Sequence, residues 1–151
     1  MNQDRFIRTA SAHWTGSLSS GKGTIDLQSG ALTNEPYSFK TRFEENEEAK
    51  GTNPEELLAA AHASCFAMQF SHYLAEAGHP AESVDVDCEV RLEKESQGFK
   101  VASSFLRVTA TVPGMEKERV LAWAKKAKDN CPLSKVLQDG LQIALEVSVP
   151  D

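Results

Sequence analysis

The residues able to do chemistry in this 151-residue chain are few, and three are cysteines: Cys65, Cys88 and Cys131. Cys88 alternates with Val84, Val86, Val90 and Leu92 at period two, which reads as a core side chain of a strand. Cys65 lies in an apolar segment with helical character, where burial alone would raise its pKa and slow it as a nucleophile. Cys131 directly precedes Pro132 and reads as the N-cap of a short helix. Such a position exposes a sulfur to backbone N–H groups and to the positive end of the helix dipole, both of which favour thiolate. Local physics alone therefore prefers Cys131. His62 stands three residues before Cys65 on one helix face, where it could be a base beside a thiol or half of a metal site. Structural zinc needs four ligands, and Cys131 is followed by no second cysteine or histidine. No metal is expected, and His62 reads as a packing or supporting residue. No Gly-rich phosphate loop, G-x-S-x-G elbow or H-E-x-x-H is present.

The elements that must hold these residues can be read from periodicity. Residues 12–18 and 24–27 read as strands around a turn in which Gly21 and Gly23 supply positive φ. Residues 37–43 alternate as a third strand, with Tyr37, Phe39 and Phe43 on one side and Lys40 and Arg42 on the other. An acidic loop follows, residues 44–51. Asn53 is a good N-cap, Pro54 suits the first helical position, and Glu55 and Glu56 complement the dipole. That helix runs to about residue 77, before Gly78 and Pro80. Its apolar residues cover nearly the whole circumference, so it should be buried on nearly all sides. A 151-residue monomer struggles to wrap such a helix, which points to a dimer. Residues 83–92 and 99–112 form a hairpin, residues 117–128 a second helix, and residues 131–137 a short third one. A final strand is expected over 141–149. The order is α+β rather than regular βαβ.

Composition bounds the reading further. Sixteen Lys and Arg face 22 Asp and Glu, a formal charge of -6, with no basic run. Nucleic acid is not expected as a partner, because phosphate binding needs clustered cations. The opening residues are too polar for a signal peptide, and the apolar run over 57–70 is too short and too interrupted to span a bilayer. These features imply a single soluble domain, residues 1–151, without membrane attachment and in the cytosol. Cytosolic disulfides are usually transient and catalytic or redox-sensing.

Two motifs then become specific. Gly51-Thr52-Asn53-Pro54-Glu55-Glu56-Leu57-Leu58-Ala59-Ala60-Ala61-His62-Ala63-Ser64-Cys65-Phe66 resembles the signature of the OsmC/Ohr family of peroxide-reducing proteins. Asp129-Asn130-Cys131-Pro132-Leu133-Ser134-Lys135-Val136-Leu137 resembles that family's second cysteine motif. The N-terminal run Ala12-His13-Trp14-Thr15-Gly16, then Gly21-Lys22-Gly23-Thr24, Pro36-Tyr37 and residues 39–44, is similar to the osmotically inducible OsmC branch. The resemblance covers nearly the whole chain.

The resemblance implies an OsmC-like α+β fold with antiparallel sheets and a long buried central helix, in an intertwined homodimer. It implies a reactive cysteine, here Cys65, a resolving one, here Cys131, and a completing arginine and glutamate, here Arg42 and Glu55. Glu56 is adjacent, but the residue after the proline matches best. The Ohr branch carries its arginine in the first hairpin turn, where this chain has Lys22, so the role falls to Arg42. The expected activity is reduction of organic hydroperoxides, and of hydrogen peroxide, through a Cys65 sulfenate and a Cys65–Cys131 disulfide. An external dithiol would reset it, with no metal, flavin or haem. Two rivals use the same residues: a thiol redox sensor or binding protein without turnover, and a cysteine hydrolase using Cys65 and His62. For the hydrolase the motif offers no obvious carboxylate to orient the histidine.

Overall fold

The computed structural model describes residues 5–44 and 48–139. Backbone contacts gather the chain into two units, Met1–Leu58 and Ala59–Asp151, taken in turn below. The fold class is α+β, with antiparallel strand pairing in both sheets.

In the first unit, strands β1 (Ala10–Thr15), β2 (Lys22–Leu27) and β3 (Glu35–Tyr37) form a sheet in sequence order. Ala10 pairs with Leu27, Thr15 with Lys22, and Gly23 with Tyr37. The first strand ends earlier than its apolar pattern suggests, because the chain turns at Gly16 with φ of +88°. Gly21 and Gly23, expected to supply positive φ, do not. They are glycine for want of room. A side chain at Gly21 would strike the Ser17 and Thr15 carbonyls, and one at Gly23 would enter the Tyr37 and Trp14 rings. Those two rings meet over Gly23 with centroids 5.3 Å apart.

The expected third strand over 37–43 is corrected by the structure: β3 stops at Tyr37, and α1 (Phe39–Phe43) follows at once. Side-chain capping overrides the alternating pattern. The Ser38 hydroxyl accepts from the Thr41 N–H at 3.3 Å, while Thr41 Oγ1 accepts from the Ser38 N–H at 2.9 Å. This reciprocal pair satisfies donors that a helix start otherwise leaves open. It also stacks Phe39 and Phe43 at four-residue spacing, with ring centroids 4.9 Å apart.

Helix α2 (Pro54–Glu76) begins as its sequence predicts. Asn53 Oδ1 accepts from the Glu56 N–H at 2.8 Å. Its buried residues are His62, Phe66, Phe70 and Leu74, a single stripe at four-residue spacing. All-round burial is thus not achieved within one chain: Met68 is 76% exposed.

The second unit is built on that stripe. Strands β4 (Ser83–Glu95) and β5 (Gly98–Thr111) pair antiparallel from Ser83↔Thr111 to Glu95↔Gly98. Val84, Val86, Cys88, Val90 and Leu92 are the half-buried members of β4, as the alternation predicts. Helix α3 (Lys117–Asn130) contributes the buried Ala127, and α4 (Pro132–Asp139) follows after a single residue, Cys131. Phe66, Phe70, Leu74, Ala127 and Cys131 form the core, flanked by Val86, Leu106, Val108, Tyr73 and Trp123. The strand expected over 141–149 lies outside the described residues.

Candidate functional site

The thiol pair is assembled by α2 and by the junction between α3 and α4. Cys65 is half-buried; Cys131 is completely buried, with no exposed surface. Both are free thiols, as is Cys88. Cys131 thus stands just before α4 with its side chain closed off from solvent. Cys131 serves two helices at once: its N–H donates to the Ala127 carbonyl at 2.8 Å, and its carbonyl accepts from the Lys135 N–H at 3.1 Å. Its side chain belongs to the core cluster with Phe66, Phe70 and Leu74.

The helix-start donor goes instead to the other sulfur. The Leu133 backbone N–H, in the first turn of α4, faces Cys65, and the Cys131 thiol lies beside it. Burial pushes the Cys65 thiol up from its ordinary value, the Leu133 amide pulls it down, and the neighbouring Cys131 pushes it up again; the balance is upward. A thiolate at Cys65 thus needs further positive potential.

His62 is 5% exposed and sits between two hydroxyls. Its Nδ1 lies 2.6 Å from Ser104 Oγ on β5, and its Nε2 lies 2.9 Å from Ser134 Oγ on α4. Burial lowers its pKa below 6.5, favouring the neutral ring. With both ring nitrogens engaged by serines, His62 has no free nitrogen to act as base for Cys65. Ser104 Oγ also lies 3.3 Å from Cys88 Sγ. Neither serine was singled out from the sequence; Ser134 stands within the second cysteine motif, three residues after Cys131, which was the available signal. Among the described residues, no group of three or more His, Cys, Asp or Glu side chains gathers as a metal site.

In the first unit the structure joins Arg42 and Glu55. Arg42 Nη2 donates to Glu55 Oε1 at 2.7 Å, and Arg42 Nε donates to Oε2 at 3.1 Å, a two-nitrogen embrace of one carboxylate. The capped helix α1 presents Arg42, and the first turn of α2 presents Glu55. Asn53 Nδ2 ties the two by donating to the Thr41 carbonyl at 3.0 Å. The Arg42 side chain is 37% exposed and that of Glu55 is 13% exposed. Beside Arg42 a cleft of about 280 Å³ is lined by Trp14, Leu18, Tyr37, Phe39, Phe43 and Pro54. Lys22, the alternative cation, belongs to β2.

Residues 47–146 match the family model described as OsmC-like protein. The chain is 45% identical over 127 residues to the peroxiredoxin OsmC of Escherichia coli strain K12, covering 84% of this chain and 87% of that protein. It is 31% identical over 100 residues to the organic hydroperoxide resistance protein-like 2 of Staphylococcus saprophyticus, covering 65% and 68%. Among solved structures it is similar to an organic hydroperoxide resistance protein OsmC from Legionella pneumophila, with a TM-score of 0.62 and 27% identity over 96% of this chain and all of that one.

Proposed function

This chain belongs to the OsmC-like protein family, and from that premise we propose that it is a cysteine-based hydroperoxide reductase. The single observation that carries the reading is the half-buried Cys65 with the buried Cys131 thiol beside it. An attacking sulfur must meet substrate, and a resolving sulfur need meet only its partner.

In the first step the Cys65 thiolate attacks the terminal oxygen of R–O–O–H. The S–O bond forms, the O–O bond breaks, and the alkoxide takes a proton to leave as alcohol. In the second, Cys131 attacks the Cys65 sulfenic acid, forming a disulfide and releasing water. In the third, an external dithiol exchanges with the disulfide, restores both thiols and is itself oxidised. The cycle suits the reducing cytosol, where a protein disulfide is transient.

Arg42 is the cation this chemistry calls for, with Glu55 as its orienting partner. An ordinary thiol is only ~3% ionised at pH 7. Complete ionisation of such a thiol would raise its rate by only roughly 30-fold, about 2 kcal/mol. A dedicated peroxidase needs more, and the remainder must stabilise the negative charge growing on the departing oxygen. A guanidinium can serve both ends of that event. The aromatic cleft beside Arg42 favours an apolar R group, hence an organic hydroperoxide.

The apolar residues of α2 outside its buried stripe call for a cover, and a second copy of the chain is the partner we assign. Light scattering on the purified protein tests that assignment. The experiment for the function is peroxide consumption with excess cumene hydroperoxide and dithiothreitol. Wild type should turn over many equivalents, whereas Cys65→Ser should consume none. Consumption by Cys65→Ser near the wild-type rate would overturn the assignment, and a single equivalent consumed by wild type would favour a sensor.

A further inference from the structure

Helix α4 carries the resolving cysteine at its start, yet little of it is buried. Of the described side chains over 132–138, only Ser134 is buried. That residue is polar, and its partner is the buried His62, one turn before Cys65 on α2. His62 is anchored from the opposite side by Ser104 of β5. We infer that the Ser104–His62–Ser134 bridge is a positioning device that holds α4 against α2 so that Cys131 meets oxidised Cys65. The inference rests on the peroxidase reading above, and it concerns the second step rather than the first.

The physical argument is one of direction. Leu133, the half-buried apolar residue beside Ser134, packs without fixing a register, because apolar contact is non-directional. A hydrogen bond between two buried side chains does fix one. If α4 slid or rotated, Ser134 Oγ and His62 Nε2 would both lose their protein partners, whereas no buried side-chain nitrogen or oxygen among the described residues is unsatisfied now. The neutral imidazole suits the task, since one nitrogen donates, the other accepts, and a serine hydroxyl can answer either. The bridge is also short. His62 and Cys65 are three residues apart on α2, and Ser134 and Cys131 are three residues apart across the start of α4. The clamp therefore lies one helical turn from the sulfur pair on both sides. Holding two sulfurs in one geometry converts their encounter into an oriented intramolecular reaction, where a small loss of placement is costly.

The test separates the steps. A glutamine amide nitrogen can take the place of His62 Nε2, and an asparagine amide nitrogen that of Nδ1. His62→Gln should therefore keep the Ser134 contact, and His62→Asn only the Ser104 contact. Sulfenate formation at Cys65 is followed by dimedone trapping, and disulfide closure by rapid alkylation and mass spectrometry. His62→Asn and Ser134→Ala should form sulfenate within about threefold of wild type but close the disulfide roughly tenfold more slowly. His62→Gln should close within about threefold of wild type. Closure at the wild-type rate in both His62→Asn and Ser134→Ala overturns the clamp, as does a His62→Gln as slow as His62→Asn. Parallel oxidation of the dithiol by diamide, without peroxide, reads closure independently. A wild type that forms no sulfenate with peroxide but shows the same ranking with diamide would sink the peroxidase reading and leave the clamp standing.

Discussion

Arg42 grips Glu55 through two nitrogens, Nη2 at 2.7 Å from Oε1 and Nε at 3.1 Å from Oε2. With 37% of the arginine side chain exposed, solvent screens the pair and it adds little to stability. Its value lies in aim: a planar guanidinium fixed along one edge keeps its remaining N–H groups pointed in one direction.

That distinction makes the pair testable. Arg42→Ala should change the unfolding free energy in urea by less than ~1 kcal/mol. The same substitution should slow Cys65 oxidation by more than roughly 30-fold, the whole gain available from ionising an ordinary thiol. Stopped-flow measurement of the peroxide step decides it. A smaller loss would move the charge role elsewhere, with Lys22→Ala the next variant to make. Glu55→Gln should fall between wild type and Arg42→Ala, because the arginine remains but loses its charged anchor.

The burial difference between the two sulfurs gives a second prediction. A bulky maleimide should label Cys65 well before Cys131, since Cys131 has no exposed surface. Cys131→Ser should consume one equivalent of hydroperoxide and stop, with a dimedone-reactive sulfenate at Cys65. Intact mass and peptide mapping distinguish this from a sulfenate at Cys131 in Cys65→Ser, which would reverse the roles.

Stability should fall at both ends of the pH scale for identifiable reasons. Burial lowers the His62 pKa in the folded chain. As pH drops through 6.5, the unfolded chain takes up a proton that the folded one refuses, and stability falls. One such proton limits the slope to about 1.4 kcal/mol per pH unit. Cys65 is shifted upward in the folded chain. As pH climbs through the ordinary thiol range, the unfolded chain releases its proton first, and stability falls again. Urea titrations at a series of pH values should lose part of the acid limb in His62→Gln and part of the alkaline limb in Cys65→Ser. Unchanged limbs would remove these groups as the cause.

The sheet of the first unit makes a steric prediction. Gly23 lies under the Trp14 and Tyr37 rings, with no space for a β-carbon. Gly23→Ala should destabilise by about 1–3 kcal/mol, the usual cost of overpacking. By contrast, Gly30→Ala meets no atom within 4 Å and carries only the cost of its φ of +78°. Denaturation midpoints of the two variants, with near-UV circular dichroism for the Trp14 environment, check the difference.

Local rules were enough for much of this molecule. Asn53, Pro54 and Glu55 mark the start of α2, and the alternation of Val84, Val86 and Cys88 marks β4, because caps and period-two burial are decided by neighbours in the chain. The two cysteine motifs named the thiols. Residues 39–43 misled because their alternation fits a strand, while the deciding interaction is the Ser38–Thr41 capping pair, a choice between two locally plausible states. Which sulfur is reachable depends instead on packing between segments. Local physics gave Cys131 the helix-start donors and Cys65 the burial. Packing reversed this, turning Cys131 into the Phe66–Phe70–Leu74 core and giving the Leu133 N–H to Cys65. Burial and donor direction depend on what other segments bring alongside, and no pattern within one segment encodes them. The same holds for His62, which the sequence offers as a neighbour of Cys65 and the fold engages with Ser104 and Ser134, 42 and 72 residues away.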